Sequence, residues 1–279
     1  MPRPNEKHKI VEHYDLVSPY YYSLWGEHIH HGYWIRGNES KETAQIQLIE
    51  YLARLANVRP GCRILDIGCG YGGSCIHLAK HYGVAATGIT ISQVQVDMAN
   101  RAAAEAGLDA KFLLMDAEGM HFPQPFDLLW SVESISHYQD PEKFFQSAVK
   151  FLKPGGTFVL TDWFQKENLS RSERKKFIEP IEKGMFVELR TMDDYAAFLT
   201  SSGLCIAHRE DITPNCSKTW DLAAKIVKEK SFWALAAKYG AHFVTFLKGF
   251  QALRAGCSSG SFVYGLFVAK MPEAADHIY

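Results

Sequence analysis

The 279-residue sequence has no excess of charge of either sign, because 30 lysine and arginine residues face 31 aspartate and glutamate residues. A chain without a basic surplus has no general attraction to nucleic acid or to an anionic membrane surface. No apolar run approaches the length of a membrane span, and Met1–Lys7 lacks the apolar core of a signal peptide. We therefore expect a soluble cytoplasmic protein with no nucleic-acid partner and no membrane span.

The six cysteines contain no paired C-x-x-C spacing, which would indicate a zinc site or a redox motif. We expect them to be reduced and mostly buried. The densest group of candidate metal ligands is His28, His30 and His31, three histidines within four positions. Because this group lies in an aromatic segment, we predict that it is not a metal site.

The most informative stretch is the apolar run Ile64–Ile67, which is followed by glycines at positions 68, 70, 72 and 73. A buried strand that breaks into glycines predicts a tight turn that opens a helix, with backbone amides facing a nucleotide-like ligand or a carboxylate. NAD-dependent dehydrogenases use a similar turn, but they place an acidic residue at the tip of the next strand. Here that strand, Ala85–Ile89, ends in Thr90 with no carboxylate, so an NAD oxidoreductase is disfavoured.

Five ordered motifs resemble those of class I S-adenosylmethionine-dependent methyltransferases. The first is the turn at Asp66. The second, Gly88–Gln95, is similar to a segment of the tocopherol, sterol and cyclopropane-fatty-acid methyltransferases, in which threonine and glutamine replace the ribose-binding acid. The others are Met115–Glu118, Phe126–Ser134 and Leu152–Phe158. The resemblance implies S-adenosyl-L-methionine (SAM) as the cofactor, held by Asp66, Gly68, Cys69, Gly70, Thr90, Ile91, Gln95, Asp116, Ala117, Glu118, Ser131 and Val132.

Strands and helices alternate with short turns from Arg63 to Trp163, which predicts a parallel, doubly wound α/β sheet. The resemblance extends this to a seven-stranded, Rossmann-like methyltransferase sheet with an N-terminal helical lid and an inserted helical cap. We predict a lid at 1–57, a SAM-binding core at 58–163, an insertion at 164–190, a core continuation at 191–216, a helical cap at 217–258, and a final strand and tail at 259–279.

The stretch 217–255 is too long for a simple connection in a compact domain, and it is rich in aromatic residues that include Phe232 and Tyr239. Such a cap suggests a large, partly apolar acceptor; alternatively, its aromatic residues form the core of the cap or the contact of a homodimer. The histidine-rich segment resembles the lid of tocopherol-type methyltransferases. The predicted lid and substrate-pocket residues are Tyr22, His30, His31, Tyr33, Trp163 and Trp220.

Methyl transfer to a hydroxyl needs a positioned acceptor and a group that removes its proton. His137 lies just past the fourth predicted strand, and Asp162 lies at the tip of its neighbour. Ligand chemistry takes place at this edge of open α/β sheets, and a carboxylate there can orient an imidazole. Natural-product O-methyltransferases of similar sequence place a histidine and an aspartate at these tips. We predict that His137 is the base and Asp162 its partner; the alternative is that His137 only lines the pocket.

The sequence therefore favours a SAM-dependent methyltransferase that acts on a hydroxyl of a small aromatic or polycyclic natural product in secondary metabolism. Cyclopropane-forming relatives have a glutamate-containing loop where this chain has Ser134–His137, which disfavours alkene methylation. The alternatives are an N- or C-methyltransferase acting on an alkaloid, prenyl-quinol or sterol, and a SAM-binding isomerase or cyclase that transfers no methyl group.

Overall fold

The computed structural model describes residues 7–226, 233 and 242–274. Seven strands form a single sheet in the order β3-β2-β1-β4-β5-β7-β6. The strands are β1 (Arg63–Ile67), β2 (Ala85–Thr90), β3 (Ala110–Leu114), β4 (Phe126–Val132), β5 (Leu152–Gln165), β6 (Cys205–Asp211) and β7 (Phe262–Lys270). The seven-stranded Rossmann-like fold predicted from the sequence is confirmed.

Strands β1 to β5 pair in parallel, as predicted, but β7 runs antiparallel to both β5 and β6. The sheet is therefore mixed. The pairing register shows the reversal of direction: Phe262 at the start of β7 pairs with Gln165 at the end of β5. The chain thus re-enters the sheet from the edge at which β5 leaves it.

The helices precede, connect and cover the strands. They are α1 (Lys7–Trp25), α2 (Lys41–Leu55), α3 (Gly73–Tyr82), α4 (Gln93–Ala106), α5 (Pro141–Ala148), α6 (Arg171–Glu173), α7 (Glu179–Met185), α8 (Met192–Ser201), α9 (Thr213–Cys216), α10 (Lys218–Ile226) and α11 (His242–Ser259), with a π-helical turn at Arg174–Ile178. Phe232 and Tyr239 of the predicted cap lie outside the described residues. No helix in the described part of the chain is both long and apolar enough to cross a bilayer.

The central strands are buried on both faces. Leu128 and Trp130 belong to one apolar cluster, which includes residues of α2 and α3, whereas Leu129 belongs to a second cluster with residues of α5 and α8. Successive side chains of a strand point to opposite faces, so helices cover the sheet on both sides. This arrangement leaves the carboxyl ends of the parallel strands as the edge at which a ligand can bind.

Candidate active site

A cavity of about 240 Å³ lies at the carboxyl ends of the parallel strands. Its wall contains residues from α1, from the segment 27–31, from the ends of β1, β2, β4 and β5, and from the helices α10 and α11. Most of the predicted cofactor residues line it: Asp66, Gly68, Cys69, Gly70, Thr90, Ile91, Gln95, Asp116, Ala117, Glu118 and Val132. Segments far apart in the sequence therefore meet at one site.

The glycine turn after β1 is shaped by close contacts. Gly68 has a φ of +81°, and a Cβ atom there would lie 2.3 Å from the Cβ of Ser134. The amides of Gly68 and Cys69 donate to the carbonyl of Ile89 at 2.9 and 3.0 Å, so these two amides do not face a ligand, contrary to the sequence prediction. The amide of Gly70 has no hydrogen-bond partner within the described chain. Ligand contact by backbone amides is thus confined to the later part of the turn.

Asp66 is almost fully buried beneath this turn, with 3% of its surface exposed. Within the described residues its carboxylate accepts a single hydrogen bond, from the Cys75 thiol at 3.6 Å. Burial raises the pKa of Asp66 to about 7, and the Cys75 hydrogen bond opposes the shift only partly. A carboxylate with unused acceptor capacity at the cavity wall fits a ligand that carries an ammonium group.

Two further groups of polar side chains continue the wall. The Thr90 hydroxyl donates to the Gln95 side-chain oxygen at 2.7 Å, which joins the tip of β2 to α4. Asp116 and Glu118, which follow β3, pair with Lys7 of α1 at 2.5 and 2.6 Å. Carboxylates in this position can accept hydrogen bonds from amino groups of a ligand. The wall therefore offers polar partners along its length, as an extended nucleoside-containing cofactor requires.

Three of the predicted cofactor, lid and pocket residues do not line the cavity. Ser131 is fully buried and its hydroxyl bonds to Ser134 at 2.9 Å. Tyr22 is 41% exposed and packs against Tyr71. Tyr33 stacks on Tyr51 of α2, with ring centroids 4.7 Å apart. Tyr22 is displaced because the face of α1 that borders the cavity carries its neighbour in sequence, and adjacent helical residues point about 100° apart.

The face of α1 that borders the cavity was not predicted from the sequence. Lys7, Ile10, Tyr14, Tyr21 and Trp25 all line the cavity. Their spacings of 3, 4, 7 and 4 residues are those of one helical stripe, so the periodicity was available as a signal. Met185, Val187 and Phe250 complete the apolar part of the wall, and no comparable pattern marks them in the sequence.

Glu133 connects the segment after α1 to the sheet. Its carboxylate accepts hydrogen bonds from the His31 amide at 2.6 Å, the His31 Nδ1 at 2.9 Å, the Tyr264 hydroxyl at 2.8 Å and the Trp163 indole at 3.0 Å. Burial alone would raise the pKa of Glu133, but the charge and hydrogen bonds of His31 outweigh it and lower that pKa. The predicted pocket residues His30, His31, Trp163 and Trp220 all line the cavity beside this carboxylate.

His137 lies in the short 3₁₀ turn Ile135–His137, which follows β4. Its Nδ1 is 3.1 Å from the carbonyl oxygen of Phe186, and its Nε2 is 3.0 Å from the Tyr14 hydroxyl. A carbonyl oxygen only accepts, so Nδ1 carries the hydrogen atom. Burial lowers the pKa of His137 to about 4, and the Phe186 hydrogen bond opposes this shift. At neutral pH the ring is therefore uncharged, and Nε2 is a hydrogen-bond acceptor.

Asp162 does not contact this imidazole, which corrects the predicted pairing. Its Oδ1 accepts the Trp163 amide at 2.8 Å, and its Oδ2 accepts the Ser136 amide at 2.8 Å and the Tyr195 hydroxyl at 3.0 Å. Burial raises the pKa of Asp162 to about 6. The carboxylate is fully buried behind the cavity wall, where it holds the turn that carries His137 through the backbone.

The model of the mycolic acid cyclopropane synthetase family matches residues 2–258. This chain belongs to the mycolic acid cyclopropane synthetase family. The family is one of SAM-dependent methyltransferases, and SAM is its cofactor. The unpaired Gly70 amide, the underused Asp66 carboxylate and the polar wall at Asp116 fit that cofactor. In the described part of the chain, no group of three histidine, cysteine or acidic side chains is placed to hold a metal ion.

Three similar proteins represent the range of chemistry within this fold. The chain is 33% identical over 276 residues to 27-O-demethylrifamycin SV methyltransferase of Amycolatopsis mediterranei, covering 98% of this chain and 99% of that one. It is 33% identical to the chloroplastic tocopherol O-methyltransferase of Arabidopsis thaliana, over 76% of this chain and 67% of that one. The crystal structure of the [4+2]-cyclase SpnF superimposes with a TM-score of 0.82 at 26% identity, covering 95% and 96%.

Proposed function

We propose that this family member transfers the methyl group to a hydroxyl of an aromatic or polycyclic natural product, with His137 as the proton acceptor. The observation that carries the proposal is the geometry of the imidazole. Its Nδ1 is engaged by a backbone carbonyl, and its Nε2 accepts a hydrogen bond from a hydroxyl group, that of Tyr14. A hydroxyl of the acceptor can take the same place.

SAM supplies an electrophilic methyl carbon when it is bound. The chain must then align the acceptor oxygen and remove its proton as the carbon–oxygen bond forms. His137 can accept that proton at Nε2, and the Nδ1 hydrogen bond to the Phe186 carbonyl stabilises the imidazolium that results. Glu133 carries a charge that further favours this cation.

An apolar acceptor is supported by the part of the wall nearest the capping helices. Met185, Val187, Trp220 and Phe250 line the cavity there. Such a lining favours a ligand with a large apolar surface and a few polar groups. The names of two similar proteins also support oxygen as the methylated atom, since one acts on 27-O-demethylrifamycin SV and the other is a tocopherol O-methyltransferase.

The experiment that tests the proposal is His137→Ala, assayed with [methyl-³H]SAM and an acceptor that the wild-type protein methylates. We expect turnover to fall by about 10²-fold or more, because general-base catalysis typically contributes that much. Affinity for S-adenosylhomocysteine, measured by calorimetry, should change little. The matched control is His121→Ala, which alters an exposed histidine away from the cavity. Undiminished turnover in the His137 variant would reduce this residue to a part of the wall.

A second candidate function is a cyclisation that transfers no methyl group. It is favoured by one observation, the similarity to the [4+2]-cyclase SpnF over 95% of the chain. Incubation with labelled SAM and cell extracts separates the two functions. Label in a small molecule supports methyl transfer, whereas a rearranged product that carries no label supports the cyclase.

A further inference from the structure

The carbonyl that binds His137 belongs to a short segment whose backbone conformation is unusual. We define residues 186–188 as the strap. Phe186 has φ +57° and ψ +37°, a left-handed conformation that non-glycine residues adopt rarely. It ends α7, and its amide donates to the Glu182 carbonyl. The left-handed turn therefore fixes the direction in which the Phe186 carbonyl points.

The strap holds the His137 turn by two hydrogen bonds. The His137 Nδ1 donates to the Phe186 carbonyl at 3.1 Å, and the Glu188 amide donates to the Ser136 carbonyl at 2.8 Å. Together they join the turn after β4 to a segment about 50 residues further along the chain. One bond fixes the backbone of the turn and the other fixes the ring.

The strap is itself anchored by a buried carboxylate. Glu182 is 4% exposed, and its Oε1 accepts the Leu189 amide at 3.1 Å. Arg174 binds both carboxylate oxygens, at 2.8 and 3.0 Å. Bidentate pairs of this kind fix geometry as well as charge. Glu182 thus links Leu189, the residue that follows the strap, to the π-helical turn that contains Arg174.

We propose that the strap positions His137 and selects its tautomer. An imidazole whose Nδ1–H is held by a carbonyl presents an unprotonated Nε2 to the cavity, whereas the other tautomer would present a donor that cannot accept a proton. Phe186 is a positioning residue in this account, and it acts through its backbone. The kinetic part of this inference rests on the proposed role of His137; the tautomer itself does not.

The test is the pair Phe186→Asn and Phe186→Val. Both substitutions remove the ring, which packs against His13 at 5.6 Å. Asparagine tolerates the left-handed conformation, whereas a β-branched valine strongly disfavours it. We expect the asparagine variant to keep the tautomer and the valine variant to lose it. Phe186→Ala provides a milder version of the same strain if the valine variant does not fold.

The direct readout is the ¹⁵N chemical shift of the two His137 ring nitrogens in the uniformly labelled protein without acceptor, assigned by comparison with His137→Gln. Wild type and the asparagine variant should show a protonated Nδ1 and an unprotonated Nε2. The valine or alanine variant should shift towards the other tautomer and lower kcat by about 10-fold or more, since small misplacements of catalytic groups have large effects. The KM for the acceptor should change less.

A protonated Nε2 in the wild type would overturn the proposal. The same tautomer in the wild type and in both folded Phe186 variants would also overturn it. An equal change of tautomer in the asparagine and valine variants would overturn it as well, because the cause would then be the lost ring and not the backbone. If the tautomers behave as expected but His137→Ala retains full turnover, the strap stands and the proposed role of His137 fails.

Discussion

Burial decides the protonation state of His137. An imidazole in water has a pKa near 6.5, but desolvation in this cavity lowers the pKa of His137 to about 4. The causes oppose one another, because burial disfavours the imidazolium while the hydrogen bond to the Phe186 carbonyl and the charge of Glu133 favour it. Tyr14 is a neutral partner, since burial raises its pKa well above the usual value. The imidazole of His137 is thus a weak base whose unprotonated nitrogen can accept a proton at neutral pH.

The lowered pKa of His137 predicts the pH at which the acid limb of the pH–rate profile lies. A residue with a lowered pKa remains neutral as the pH falls past 6.5, and it is protonated only as the pH passes about 4. With SAM saturating at every pH, so that protonation of Asp66 near pH 7 does not limit the rate through cofactor binding, we expect kcat/KM for the acceptor to hold through the range in which an ordinary histidine titrates, and to fall only near the lower value. The measurement is the initial rate as a function of pH, with circular dichroism at each pH to confirm that the protein is folded. A limb at about 6.5 would contradict the assigned environment of His137.

At this scale the sequence placed His137 in the site but did not give the hydrogen-bond partner of its Nδ1. His137 could be predicted because strand alternation places it at the ligand edge of the sheet, where a histidine has few structural roles. The hydrogen-bond partner of its Nδ1 is a backbone carbonyl, and no residue type marks a carbonyl as functional. Asp162 was assigned that part because it lies at the neighbouring strand tip, but its two oxygens are taken by Trp163, Ser136 and Tyr195.

Helix packing depends on two glycines where α7 crosses α11. A Cβ atom on Gly184 would lie 2.7 Å from the Cα of Gly249, and one on Gly249 would lie 2.9 Å from the Cα of Gly184 and 3.1 Å from the Pro180 carbonyl oxygen. The backbones of the two helices are therefore in direct contact. This crossing places Met185 and Phe250, each next to one of these glycines, in the cavity wall.

Gly249→Ala tests this packing. In a helix interior, replacing glycine by alanine ordinarily stabilises by about 0.5–1 kcal/mol, but here the added methyl must separate the two backbones. We expect a net loss of about 1–3 kcal/mol in the free energy of unfolding, as is typical of overpacking. Thermal denaturation measures it, and Gly119→Ala is the control because a Cβ atom on Gly119 meets nothing within 4 Å. A variant as stable as the wild type would show that the crossing has spare room.

Element boundaries followed the sequence where local patterning dominates. The bounds of α2 and β4 can be read from the sequence, because an apolar stripe marks Lys41–Leu55 and a bounded apolar run marks Phe126–Val132. β5, by contrast, extends at both ends beyond its apolar stretch and runs from Leu152 to Gln165. Its extra residues are added by tertiary partners, since Leu152 pairs with Phe126 and Gln165 pairs with Phe262.

The whole molecule assembles one cavity from the two ends of the chain and its middle. Lys7 and Phe250 line the same space, although 243 residues separate them. Glu133 is the point at which the segment after α1, β5 and β7 are joined, through His31, Trp163 and Tyr264. The core at 60–163 could be predicted because its motifs are local and ordered. The acceptor side of the cavity could not be predicted, because its wall comes from helices in which aromatic residues can serve either packing or binding.

Methyl transfer to oxygen is the central claim, and it concerns the molecule as a whole because it needs the cofactor wall, the base and the acceptor wall together. The most direct measurement is ¹³C NMR of the product formed from [methyl-¹³C]SAM with 27-O-demethylrifamycin SV or a prenylated hydroquinone as acceptor. We predict that the labelled methyl is bonded to oxygen, and that the signal is lost with His137→Ala. A labelled methyl bonded to carbon or nitrogen, or a cyclised product without label, would contradict the account.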